Sequence, residues 1–156
     1  MGLGYKERGG FDGAISCFQR ILKIDPLSAN TLFNLANTLE NDGRLSEAEE
    51  HYRILIEHHG LTAANANNLG NLLNQTGRAS EAIQFMESVV SENPDEFILL
   101  CSFAAVLSST NQLDRAIEIL KSVIARQPNL AEAHLNLGNS YRKVGQLSLS
   151  VRHLDE

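Results

Sequence analysis

"NLANTLENDGR" occupies residues 34–44, "NLGNLLNQTGR" residues 68–78 and "NLGNSYRKVGQ" residues 136–146. Asn-Leu-small-Asn is thus written three times at multiples of 34 residues, and each copy is followed by a glycine seven residues after the small position. The Leu, the small residue and the later Gly fit a helix that packs closely against another and then stops. The two Asn residues belong to a different face of that helix and need a different reason.

The register extends in both directions from these stretches. The small position reads Gly2, Ala36, Gly70, Ala104, Gly138, and three residues on come Tyr5, Leu39, Leu73, Leu107, Tyr141. The series Gly9, Gly43, Gly77, Asn111, Gly145 follows, then Ala14, Ala48, Ala82, Ala116, Ser150, then Phe18, Tyr52, Met86, Leu120, Leu154. Pro26, Gly60, Pro94 and Pro128 close the period, and every step is 34 with no insertion. A repeat at that period is the signature of stacked supersecondary units.

Each position has a physical role. Gly or Ala lets two helices approach, and the large residue three positions on lies on the same helical face beside it. The next Gly supplies a left-handed cap, which Asn tolerates best after Gly, so Asn111 is the substitution that role allows. The Ala series seats a second helix against the first, and the large apolar residue four positions later fills one turn along. Pro ends the second helix and sets the angle into the next unit. The spacing therefore predicts first helices at 29–41, 63–75, 96–109 and 131–143. Second helices are predicted at 12–24, 46–58, 80–92 and 114–126, with a short piece at 148–155. Gly9 is expected to end a fragmentary first helix.

The chain has 156 residues, of which 43% are hydrophobic and 21% charged, a globular composition. The formal charge of −6 comes without any Lys/Arg cluster, which excludes nucleic acid as the natural partner. The longest apolar run, "FILLCSFAAVL" at 97–107, falls short of a membrane span of about 18 residues, so no membrane insertion is expected. With no signal-peptide pattern either, the expected location is cytoplasmic. Cys17 and Cys101 lie far apart without a partner motif and read as two packed thiols.

The small–aromatic–Gly–Ala–aromatic–Pro pattern quoted above resembles the tetratricopeptide repeat family, across essentially the whole chain. The usual aromatic near the start of the first helix is replaced by Leu32, Ala66, Leu100 and His134. The resemblance implies an all-α, right-handed solenoid of stacked antiparallel helix pairs. First helices would line a concave groove and second helices the convex back. One domain over 1–156 is expected: full repeats 29–62, 63–96 and 97–130, with partial repeats 1–28 and 131–156. Because solenoid ends expose half-buried faces, either a longer protein or an end that pairs with another chain is expected.

The Asn residues concentrate on one face of the first helices. In the second full repeat Ala66, Leu69, Gly70 and Leu73 make the apolar stripe, while Asn67, Asn68, Asn71, Asn74 and Gln75 take the other side. Asn30, Asn34, Asn37 and Asn41 do the same in the first, and Asn136, Asn139 and Lys143 in the last. Ser102 and Ala105 interrupt the two series. Asn is a mediocre helix former, and the second helices carry ordinary charged surface instead, as in "SEAEEHYR" at 46–53. Two readings stand. The amides bond to one another between repeats or to solvent, or they hold a peptide backbone, for which a donor and an acceptor on one group are suited.

The Asn-rich first helices are similar to the repeats of protein O-linked N-acetylglucosamine transferase, which implies Asn34, Asn68 and Asn136 as a backbone-holding ladder. Asn37, Asn71 and Asn139 would run beside it. The lysines and arginines of a carboxylate clamp are missing, their places being taken by Phe33, Asn67, Ile98 and Ser102. Glu40 near one end and Arg142 and Lys143 near the other give the groove a charge gradient, with Ile98 and Cys101 as an apolar patch between and Asn74 alongside.

No nucleophile motif, P-loop or metal-ligand spacing emerges. His51, His58 and His59 read as a solvated helix end, and His134 as a packed residue on an apolar face. The expected function is a non-catalytic protein–protein interaction scaffold, without cofactor, binding an extended peptide segment. Two alternatives remain: a substrate-recruiting arm of a larger enzyme such as a glycosyltransferase, and a self-assembly module using uncapped ends.

Overall fold

The computed structural model describes residues 4–145, with side chains from residue 10 onward. Eight helices follow one another among the described residues, with no strand: α1 (Gly4–Ile24), α2 (Ala29–Asn41), α3 (Leu45–His59), α4 (Ala63–Gln75), α5 (Ala79–Glu92), α6 (Phe97–Ser109), α7 (Leu113–Arg126) and α8 (Ala131–Val144). They form an all-α solenoid in which α2/α3, α4/α5 and α6/α7 are antiparallel pairs. The bounds of α2 to α8 fall within a residue or so of those predicted from the period, whereas α1 begins at Gly4 and not at the predicted residue 12. The piece expected at 148–155 lies outside the described residues.

The turns obey the glycine series. Gly43, Gly77 and Gly145 have φ of 82°, 80° and 84°, and Asn111 has φ of 63°. Asn111 is the one non-glycine residue among those described with positive φ, as the series required. Gly9 departs from it, because α1 runs without interruption from Gly4 to Ile24. Glycine permits a reversal without forcing one. At residues 43, 77 and 145 a complete first helix must turn back on its neighbour.

The small position does what its size suggests. At Gly70 on α4 an added Cβ would lie 2.7 Å from Cγ of Met86 on α5. Around such contacts Leu35, Leu39, Tyr52, Leu69, Leu72, Leu73, Met86, Phe103, Leu107 and Leu120 join in one contiguous core. Helix α6 is buried nearly all round, with Leu99, Leu100, Phe103, Val106 and Leu107 inside. The second helices are tied across repeats by surface ion pairs, Arg53 to Glu81 at 2.6 Å and Arg115 to Glu87 at 2.6 Å. Exposed pairs of this kind contribute at most about 1 kcal/mol each.

Two stability outcomes follow. Leu73→Ala, which truncates a fully buried side chain, should cost about 2–5 kcal/mol in urea unfolding. Asn111→Gly should leave stability equal or higher, whereas Asn111→Ala should lower it by about 1 kcal/mol. Equal midpoints for the two variants would contradict the cap assignment.

Candidate binding groove

The first helices α2, α4, α6 and α8 stack side by side, and α2, α4 and α8 bring their Asn residues to the shared face. Three clefts run along that surface. One of 600 Å³ lies between α1 and α2 and includes Asn34, Asn37 and Asn41. One of 680 Å³ spans α2, α4 and α6 and includes Phe33, Leu61, Asn67, Asn68, Ile98 and Leu99. A smaller one of 260 Å³ between α6 and α8 is lined by Ala105, Ser108, Asn136, Asn139, Arg142 and Lys143.

The amides are engaged between repeats. Asn68 Nδ2 donates to Asn37 Oδ1 at 2.9 Å, and Asn136 Nδ2 donates to the Cys101 carbonyl at 3.3 Å. Asn71 Nδ2 reaches Ser102 Oγ at 3.4 Å, and Ser109 Oγ donates to Asn74 Oδ1 at 2.7 Å. The rungs tie each first helix to the one before or after it. They leave capacity over, since each amide offers two N–H groups and two acceptor lone pairs. Asn34 is exposed, and Asn139 is half-buried on the surface of the 260 Å³ cleft. Among the described residues, the buried side-chain acceptor without a hydrogen-bond partner is Asn67 Oδ1, on the wall of the 680 Å³ cleft.

Tyr52 is a polar partner of the Asn-bearing face that its place in the apolar series does not announce. It occupies the large apolar position of α3, yet its hydroxyl emerges among the groove amides. It donates to Asn37 Oδ1 and approaches Glu40 Oε2 at 3.1 Å. The available signal was that Phe18, Met86, Leu120 and Leu154 at the same position carry no hydroxyl. Burial, with the Glu40 carboxylate beside it, pushes the phenol well above its ordinary range. Burial likewise raises Glu40, and the Tyr52 hydrogen bond opposes that only in part.

The charged end differs in detail from the expected gradient. Arg142 is exposed, but Lys143 Nζ donates to the Ser108 carbonyl at 2.8 Å. That contact places a cation on the C-terminal end of α6, where the helix dipole favours it. Ile98 is 49% exposed and stands in the 680 Å³ cleft. Cys101 is a correction: it is fully buried, so its side chain is part of the core rather than of the apolar patch. Helix α6 is covered on both sides, and position 101 faces inward. Burial, and then the charge of Glu132, push its thiol up to about 12, so it stays protonated. His134 is buried, and its Nε2 lies 2.8 Å from the Pro128 carbonyl, in keeping with a packed residue. Among the described residues no group of three His, Cys, Asp or Glu side chains could hold a metal ion, and no helix is long and apolar enough to cross a membrane.

Glu40 gives a pH-dependent outcome. A carboxyl with a folded pKa above its ordinary 4.5 holds its proton more tightly when folded. Its contribution is fully present below the unfolded value and is lost as pH rises through the folded one. Glu40→Gln should therefore raise the melting temperature at pH 7, with the gain disappearing below about pH 4. A gain that persists in acid would contradict the burial cause.

Comparison with known proteins agrees with this architecture. Residues 17–50 and residues 62–91 each match a tetratricopeptide repeat model. No curated protein matches the sequence. The crystal structure of MamA is 25% identical over 99% of this chain and 92% of its own, with a TM-score of 0.79. YrrB, a TPR protein with an unusual peptide-binding site, is 18% identical over 96% of this chain and 77% of its own, with a TM-score of 0.73. PilW, a widely conserved type IV pilus biogenesis factor, is 20% identical over 96% of this chain and 69% of its own, with a TM-score of 0.83.

Proposed function

We propose that this tetratricopeptide-repeat protein is a non-catalytic interaction scaffold that receives an extended peptide along the Asn-bearing face of its first helices. The observation that carries the reading is the 680 Å³ cleft, where exposed Ile98 and Leu61 sit beside the amides of Asn67 and Asn68. An apolar side chain of the peptide fills the space between Ile98, Leu61 and Phe33. Rotation of the Asn67 side chain about χ2 turns its unpartnered oxygen toward the N–H of the same peptide residue. The remaining N–H groups of Asn68, Asn71, Asn136 and Asn139 face the peptide carbonyls further along. Contacts of this kind read the backbone more than the sequence, so affinity is modest and several partners are tolerated.

Charge sets direction. Glu40 lies toward one end of the face and Arg142 toward the other, which favours a peptide with its basic part near α2 and its acidic part near α8. Screening beyond about 10 Å limits this to orientation and choice among sequences. YrrB supports the reading as a structural neighbour with a peptide-binding site on the same type of fold.

A random peptide library panned on immobilised protein tests it. Wild type should enrich peptides with an apolar residue that has a basic residue several positions to one side and an acidic one to the other. Ile98→Asp should remove the apolar preference and lower affinity about tenfold or more. Glu40→Lys combined with Arg142→Glu should invert the charge preference. Enrichment that ignores all three substitutions would sink the groove reading.

A further inference from the structure

Four side chains from three helices meet at one point of the Asn-bearing face. Asn37 and Glu40 come from α2, Tyr52 from α3 and Asn68 from α4. Tyr52 is buried and the other three are half-buried. Tyr52 Oη lies against Asn37 Oδ1 and stands 3.1 Å from Glu40 Oε2. Asn68 Nδ2 donates to the same Asn37 Oδ1 at 2.9 Å. The phenol thus has one proton and faces two oxygens. Asn37 Oδ1 has no proton to give, so the Tyr52 proton lies on that contact. The contact with Glu40 then needs a proton from the carboxyl, which is the neutral acid donating to Tyr52 Oη. Burial acts in the same direction, raising Glu40 above its ordinary range. Both lone pairs of Asn37 Oδ1 are used in this arrangement. Among the described residues Asn37 Nδ2 donates to no protein atom, so its two N–H groups are left to the groove.

An ionised Glu40 allows one other complete arrangement. Tyr52 stays protonated, since burial and the carboxylate beside it push the phenol well above its ordinary range, and it now donates to Glu40 Oε2. Asn37 Oδ1 would then face the phenol oxygen with no proton between them, which is repulsive. Turning the Asn37 and Asn68 amides about χ2 removes the conflict. Asn37 Nδ2 donates to Tyr52 Oη and to Asn68 Oδ1, and Asn37 Oδ1 turns to the groove. The bond from Asn67 that Asn68 gives up is a long one, at 3.4 Å.

We infer that Glu40, acting through Tyr52, sets which side of the Asn37 amide faces the groove: the N–H groups when its carboxyl is neutral, the oxygen when it is ionised. Tyr52 and Glu40 are positioning residues for this rung. The consequence for a ligand rests on the groove reading above. The α2 rung takes a peptide carbonyl in the neutral state and a peptide N–H in the ionised one. A Lys or Arg side chain that the peptide brings to Glu40 ionises it at constant pH, so a basic residue and an N–H are read together. Other charges leave Glu40 to this role. The elements packed on α2 are α1, α3 and α4. From α3 the titratable group facing Glu40 is Tyr52, while Glu49 and Arg53 are engaged with Arg78 and Glu81. Helix α4 carries no charged residue. Among the described residues of α1, Asp12 acts on Arg44, as Asp42 does, and Arg44 is paired with Glu47 at 2.6 Å. Cys17, Arg20 and Lys23 lie further toward the end of α1 that leads into the start of α2.

The test is NMR of the whole protein, labelled with carbon-13 and nitrogen-15 and free of ligand, from about pH 4 to about pH 8. The Asn37 and Asn68 side-chain amide signals should shift together, with the midpoint of the Glu40 carboxyl carbon. In Glu40→Gln, whose amide donates to Tyr52 Oη as the neutral acid does, both signals should hold their acid-limit positions at every pH. In Tyr52→Phe, Glu40 should still titrate and Asn37 should no longer follow it. Should Tyr52→Phe not fold, wild type carries the test: the nuclear Overhauser effect from the Asn37 Hδ2 protons to the Tyr52 ring should grow as Glu40 ionises. Three results would overturn the inference: an Asn37 amide that stays still while Glu40 titrates, one that follows Glu40 equally in Tyr52→Phe, or a carboxyl already ionised at about pH 4. Because the free protein is observed, a failure to bind any peptide counts against the groove reading alone, and a still Asn37 amide counts against this inference alone.

Discussion

Everything in this structure depends on two helices coming closer than ordinary side chains allow. Where α4 crosses α5 a Cβ at residue 70 would lie 2.7 Å from Cγ of Met86, so the Met86 side chain would have to shift. Ala36 and Ala104 hold the corresponding position on α2 and α6, and both are fully buried. Close approach lets Leu residues on either side interdigitate, and it fixes the pair geometry so that the next pair can stack in the same way. The reversal after each first helix follows from the same need, since the chain must turn within three residues to lay the second helix back. That is why positive φ recurs at 43, 77, 111 and 145. The strictness of the period reflects the constraint: an insertion would move the small residue off the crossing point.

Most of the fold could be read from this constraint, and most of the groove could not. Packing roles depend on residue size at a fixed spacing, which sequence displays directly. Asn111 illustrates the legible case, a residue whose conformation was implied by its place in a glycine series. Gly9 illustrates the limit, because a glycine only permits a turn and the packing that enforces one lay beyond the local sequence. Cys101 was misplaced since its helix is covered on two sides, and an apolar stretch such as "FILLCSFAAVL" carries no periodicity to distinguish inside from outside. Tyr52 was hidden for another reason. Its ring is core, and only three-dimensional placement shows that its hydroxyl comes out beside Asn37 and Glu40.

The amides answer in part the question that the repeated Asn-Leu-small-Asn raised, since they bond between repeats. Asn37, Asn68, Asn71, Asn74 and Asn136 link successive first helices, so the ladder sets the spacing of the stack. An amide can do this and still meet a ligand, because one bond uses only part of its capacity. A Glu or Lys at those positions would bring unneutralised charge to a crowded face. Asn therefore costs some helix propensity and in return joins neighbouring repeats while keeping a polar, uncharged surface.

The third repeat shows what happens when the ladder is interrupted. With Ser102 and Ala105 in place of Asn, α6 offers Asn71 a hydroxyl at 3.4 Å and offers Asn136 a backbone carbonyl at 3.3 Å. Both distances exceed the 2.9 Å of the Asn68–Asn37 rung. The weaker polar linkage is offset by burial, since α6 is the most apolar helix and packs on both sides. The same apolar character brings Ile98 to the surface, where the corresponding residues are Asn30, Ala64 and Glu132. Relaxing the amide ladder and exposing an apolar side chain on the same face are thus two consequences of one local change in sequence. A solenoid of otherwise equivalent repeats acquires a distinguishable centre in this way. A distinguishable centre is what a groove built from repeated amides needs if it is to hold a peptide in one register rather than many.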